Sequence, residues 1–132
     1  MSGVDVIGAL LADDPAVTAL VPPANIRAGR LPDNATLPSL LVRSVSLVER
    51  QPLKRQGIVR ITERVAVMAR ANNYRQQREI IAAVRDACAG QTGNIGGTTN
   101  TVVLSAGTGP DLTGITTFEQ TQDFRVSFDH HL

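Results

Sequence analysis

Aromatic side chains make up only 3% of this 132-residue chain, which has one tyrosine, three phenylalanines and no tryptophan. A stacking platform for single-stranded nucleic acid needs several aromatic faces, and an aromatic-lined sugar or peptide groove needs them too, so both are argued against. Cysteine occurs once, at Cys88. No intrachain disulfide is possible, and a cysteine-based zinc site is excluded within one chain. Histidine occurs only as the adjacent pair His130-His131. Adjacent strand residues point to opposite faces, so the two do not readily chelate one ion, and a His-dependent triad would have to recruit this tail. No apolar run reaches the roughly 18 residues of a membrane span. The first apolar stretch also lacks the preceding positive region of a secretory signal.

What is present suits a globular α+β domain. Hydrophobic residues make up 42% of the chain and charged residues 19%, enough to bury a core of Val, Ile, Leu and Ala in one domain spanning 1–132. The net charge of +1 conceals an asymmetry. Residues 43–85 hold ten basic and three acidic residues, a charge of +7; the remainder holds three basic and nine acidic, −6. The plain reading is a solvated surface. The sharper one is a pair of complementary faces that meet between identical subunits.

Spacings of three and four over residues 4–12 predict an amphipathic helix. Asp14 caps a second short helix with Pro15 in its first position, and Pro22-Pro23 end it. Residues 26–31 read as extended, 33–36 as a polar turn. Residues 39–49 carry apolar side chains on both alternating faces, with Leu40, Val42 and Val48 on one and Leu41, Val45 and Leu47 on the other. That predicts a strand that is central or covered at an interface. Residues 50–57 form a long loop and 58–70 a long strand with the period of two. In that strand Glu63 interrupts the apolar face of Val59, Ile61, Val65 and Val67, which predicts a place near an edge or an interface. Asn72-Asn73 cap a helix that ends at Gly90; Arg75, Arg78 and Glu79 face solvent or a partner. A Gly/Thr/Asn-rich loop, a strand at 101–106, a flexible loop at 107–114 and a final strand at 116–129 follow. Phe118, Phe124 and Phe128 line one face of the last strand. The order predicts a mainly antiparallel sheet of about four to five strands with helices on one face.

Reactive chemistry finds little support. Cys88 lies on the apolar stripe of a helix near its C-terminal end, where the dipole disfavours a thiolate, so it reads as structural. The glycine segments 93–97 and 107–114 lack the Gly-Lys-Ser/Thr ending of a P-loop and the spacing of a dinucleotide fingerprint. Asp13-Asp14 are explained by helix breaking and capping. Catalytic, cofactor and metal sites are therefore all expected to be absent. The basic block offers no recognition element for base reading, so any DNA contact would be to phosphate.

The order of elements carries a resemblance. The N-terminal helix with Leu10-Leu11, the Asp14-Pro15-Ala16-Val17-Thr18-Ala19-Leu20 segment, the Ile26–Pro32 run, Leu37-Pro38, the paired long strands, the helix at 73–89 and the Phe-rich last strand together resemble the tail-completion, or tail-terminator, proteins of long-tailed bacteriophages and gene-transfer particles. Two features differ: Ser39-Leu40 stands where the family often has an aromatic, and Met68-Ala69-Arg70 also lacks one. The resemblance implies a structural protein, not an enzyme. It would be made in the bacterial host cytoplasm and placed in the virion at the tail–head junction. It implies a homo-oligomeric, hexameric ring that stops tube growth and joins tail to head. Partners would be the tail tube protein, a head-completion or connector protein, and double-stranded DNA passing through without sequence recognition. On that basis Arg60, Glu63, Arg64, Arg75 and Arg78 are candidate subunit-interface residues. Arg50, Lys54, Arg55 and Asp111 sit on candidate lumen or partner loops. A portal adaptor and a small ligand-binding domain using Cys88 are the alternatives.

Overall fold

A computed structural model describes residues 2–32 and 34–132. Of the predicted polar turn at 33–36, Asp33 lies outside the described residues. Helix α1 (Gly3–Asp13) opens with a capping box. The Ser2 hydroxyl accepts from the Asp5 amide, and the Asp5 carboxylate accepts from the Ser2 amide at 2.9 Å. In α2 (Pro15–Leu20), the Asp14 carboxylate accepts from the Ala16 and Val17 amides, as Asp before Pro predicts. A 3-10 turn, Pro23–Asn25, leads into β1 (Ile26–Ala28), β2 (Ser39–Arg50) and β3 (Ile58–Ala71). Then come α3 (Tyr74–Cys88), capped by Asn73, and strands β4 (Thr92–Ile95), β5 (Thr98–Thr108), β6 (Leu112–Thr113) and β7 (Phe118–His131).

The strands form one seven-stranded sheet in the order β1-β2-β3-β7-β5-β4, with β6 attached to β7. Only the β1–β2 pair is parallel. The extended reading of 26–31 corresponds to β1; the strand count exceeds the four to five expected because β4 and β6 are four and two residues long, too short to show a period. The Gly/Thr/Asn-rich stretch read as a loop is a hairpin. Gly96 and Gly97, both with positive φ, turn β4 into β5.

Register assigns the two faces. Across β2, β3 and β7, Val42 is opposite Val67, which is opposite Gln122; Ser44, Val65 and Phe124 form the next such row. This side meets the helices. Val6, Ile7 and Leu11 of α1, Ile80, Ile81 and Val84 of α3, and Val65, Val67, Val103, Phe124, Val126 and Phe128 of the sheet build the core. Burying each such side chain is worth about 1.5–3 kcal/mol. The predicted face of β7 holds: Gln122, Phe124, Val126 and Phe128 are all buried. The other face of the sheet, with Leu41, Arg43, Met68, Thr62, Arg64 and Arg125, carries no helix.

Strand β2 departs from its predicted alternation. A bulge between Ser44 and Ser46 adds a residue, and an extra residue flips every side chain beyond it. Leu47 therefore comes opposite Glu63 on the helix side, and Val48 opposite Thr62 on the uncovered side. The strand is not central either. Short β1 flanks it only at Leu40–Val42. Beyond that point residues 43–50 are exposed on both faces; this half of β2 and the 51–57 loop form an exposed arm along the sheet edge, backed by β3, which stays paired with β7 out to Ile58.

Candidate functional site

The arm is the most unusual surface of the molecule. Val45, Leu47, Val48, Leu53 and Ile58 are all exposed large hydrophobics, with Leu53 fully solvent-accessible at the tip. Around them stand Arg43, Arg50, Lys54 and Arg55, none of which forms an ion pair among the described residues. Glu49 is the one acid there, so the segment 43–58 carries +3. Single apolar residues on a surface are ordinary; here five stand along one exposed edge, with Leu47 on the helix side and Val48 on the uncovered side, and such a density beside unpaired charge marks an interaction site. The sequence pointed to the cations Arg50, Lys54 and Arg55, and the apolar residues on both faces of 39–49 pointed to a covered strand; Leu53 and Ile58 were not singled out.

Beside the arm, the uncovered sheet face carries a ladder of ion pairs. Arg60 donates to Asp129 Oδ1 at 3.0 Å and to the Asn100 carbonyl at 2.6 Å. The Asn100 side-chain amide and Arg60 together hold the Asp129 carboxyl below its ordinary range. Arg64 donates to Asp123 at 2.8 Å and to the Ala106 carbonyl, and Arg70 to Glu119 at 2.9 Å. Arg125 is directly opposite Arg64 across the β3–β7 pair, a like-charge juxtaposition that costs stability in a lone sheet. Strand curvature at the bulges leaves a groove of about 450 Å³ here, lined by Arg43, Val45, Arg64, Ala106, Thr121 and Asp123.

Of the predicted interface residues, Arg60 and Arg64 lie on this face but are already paired within the chain. Glu63 is a correction. It is 2% exposed and points to the opposite face, under the N-terminus of α1, where Oε1 accepts from the Gly3 amide at 2.8 Å. A carboxylate there complements the positive end of the helix dipole, so Glu63 is committed inside the chain and is not available to a neighbour. Arg75 pairs with Glu79 at 3.3 Å on the exposed side of α3. Arg78 lies 5.7 Å from the Tyr74 ring centroid and donates to its hydroxyl.

Asp111 is likewise no free loop acid. It accepts from the Tyr74 hydroxyl at 2.9 Å and from Gln77 Nε2 at 2.8 Å, clasping the 109–117 loop to α3. That loop joins the sheet where Phe118 meets Ala71; the arm leaves it where Arg50 meets Arg60, fourteen rows of β3 pairing running from Ile58 to Ala71. The two candidate loops therefore lie at opposite ends of the sheet. Cys88 is fully buried, and burial pushes its thiol up to about 12. Among the described residues no group of three His, Cys, Asp or Glu side chains is placed to hold a metal ion, and no helix is long and apolar enough to cross a membrane.

Comparison with protein-family models gives a match to Tail completion protein gp17 over residues 5–128. The chain belongs to this family. It is a phage tail-completion protein, a structural component of the virion located at the tail. Among solved structures, a chain from the virion of a native gene transfer agent particle superimposes with a TM-score of 0.67 at 14% identity. The match covers 98% of this chain and 96% of that one. At that identity the likeness shows the fold. A search of curated proteins returns no match.

Proposed function

We propose that this protein forms a ring of identical subunits, a hexamer, at the head-proximal end of the tail tube. The ring ends tube polymerisation and joins the tail to the head, and double-stranded DNA passes through it without sequence recognition. The observation that carries this reading is the β2–β3 arm, which exposes five large apolar side chains and four unpaired cations in a member of a tail-completion family. A surface of that composition is costly to leave in water and is accounted for when neighbours cover it. The role is structural rather than catalytic. The buried, protonated Cys88 thiol and the exposed His130-His131 pair support that.

The test is electron microscopy of tail tubes incubated with the purified protein. Rings on one tube end, with tubes held at fixed length, are the expected result. Binding to the portal end of filled heads and not to tubes would replace the terminator role with that of a head-completion adaptor.

A further inference from the structure

The sheet has two unpaired half-edges. On one side, β1 covers β2 only at Leu40–Val42, so the main-chain groups along 43–50 have no strand beyond them. On the other side, β4 reaches along β5 only as far as Val102, and the Gly90 and Gln91 backbone covers Val103. Residues 104–108 have β7 as their only strand partner.

Each edge carries a bulge, at Ser44–Ser46 and at Ser105–Gly107, but neither has a proline or is a very short strand, two of the guards that solitary edges carry. β2 has twelve residues with exposed Val45, Leu47 and Val48. The whole segment 92–109 contains no charged residue and no proline, and it exposes Leu104. We propose that these edges are complementary halves of one contact: residues 43–50 of one copy pair with residues 104–108 of the next, antiparallel, so that the sheet runs on from copy to copy. This deepens the ring reading and rests on it.

Two features select a second copy as the occupant. The first is strand direction. β2 is antiparallel to β3, β3 to β7 and β7 to β5, so β2 and β5 run in opposite senses. A neighbour placed head to tail then presents β5 antiparallel to β2. The second is facing. Val48, opposite Thr62, and Leu104, opposite Arg125, both stand on the uncovered face, so a continuous sheet makes them apolar neighbours across the junction. Because the joined patches differ, the contact is heterologous, the kind that makes a ring when its rotation closes.

Val48→Cys and Leu104→Cys, alone and together in the full chain, test this with a short bismaleimide, with and without tail tubes. Both sites are exposed, so the fold is retained; unchanged thermal melting checks it. Cys88 is buried and stays unlabelled. The double variant should give a ladder of covalent multimers, and each single variant should stay monomeric. Dimers from Val48→Cys alone would mean arm-to-arm, two-fold contact and overturn the pairing. Rings on tubes with no ladder would overturn the edge contact and leave the terminator reading intact. A ladder without tube capping would keep the edge contact and remove that reading, and neither result would sink both.

Discussion

Removing the Glu63 carboxylate should loosen α1 from the sheet. Glu63 is 2% exposed and accepts from the Gly3 amide at 2.8 Å, at the first residue of the helix. In Glu63→Ala that buried N–H loses its partner, which costs about 1–3 kcal/mol. The lost side-chain volume adds about 1 kcal/mol for a small cavity. Relief of the carboxylate's desolvation offsets part of this, leaving about 2–3 kcal/mol. Glu63→Gln keeps the shape and the acceptor oxygen and forfeits only the charge–dipole interaction, so it should cost about 1 kcal/mol. Urea unfolding reads both, with the midpoint falling more in the Ala variant at an unchanged m value. In Gly3→Ala the new Cβ would sit 2.9 Å from Val65 Cγ2 and 3.0 Å from Glu63 Oε1, an overpacking cost of about 1–3 kcal/mol. Combined with Glu63→Ala it should cost less than the sum, because one of its two clashes is gone. An Ala variant within about 0.5 kcal/mol of wild type, or a Gln variant worse than Ala, would refute the anchoring role.

Three further outcomes are expected. Cys88 should resist thiol reagents at pH 8 in the native protein and react after unfolding. Its folded thiol ionises at about 12 against an ordinary 9.0. The unfolded chain therefore loses its proton first, and stability should fall as pH rises from about 9 to about 12, by about 1 kcal/mol per pH unit relative to Cys88→Ala. Asp111→Ala removes the acceptor shared by Tyr74 and Gln77; limited proteolysis should cut the 109–117 loop faster, with a global cost of only about 1–2 kcal/mol. Arg50→Glu with Lys54→Glu and Arg55→Glu should leave the melting curve within about 0.5 kcal/mol of wild type and abolish tube capping seen by electron microscopy.

Much of the fold was legible because its signals are local. Asp14-Pro15 and Asn73 cap the predicted helices, and the period of two in 58–70 and 116–129 matches the two central strands. The missed strands, β4 and β6, are those where pairing, not propensity, creates the strand: β4 exists because Thr92–Ile95 fold back alongside Thr98–Val102. The Glu63 error has a related cause. An acid on an apolar strand face reads as an edge residue, and only the tertiary placement of Gly3 above it supplies the donor. The hydrogen bonds that hold Asp111 are out of local reach in the same way, since Tyr74 and Gln77 are 37 and 34 residues distant in sequence. The cations of the arm were visible as composition. Its apolar residues on both faces of 39–49 were visible too; the bulge at Ser44–Ser46, which reverses the alternation halfway along β2, changes which face each one takes.

That bulge also separates two jobs within one strand. Before it, Leu40 and Val42 are buried in the core; after it, every residue through Arg50 is exposed. The same β3 backs both halves, pairing with β2 from Ser39 to Arg50 and with β7 along its whole length. The arm is thus held by main-chain ladders to a strand whose other end lies in the core, without needing buried side chains of its own. A subunit built this way can keep its arm extended and solvated while alone, since its ladder bonds to β3 do not depend on a neighbour. Covering the arm then adds apolar burial and edge hydrogen bonds without first having to order a loop, which lowers the entropic cost of association. Changes before the bulge should act on unfolding, and changes after it on assembly.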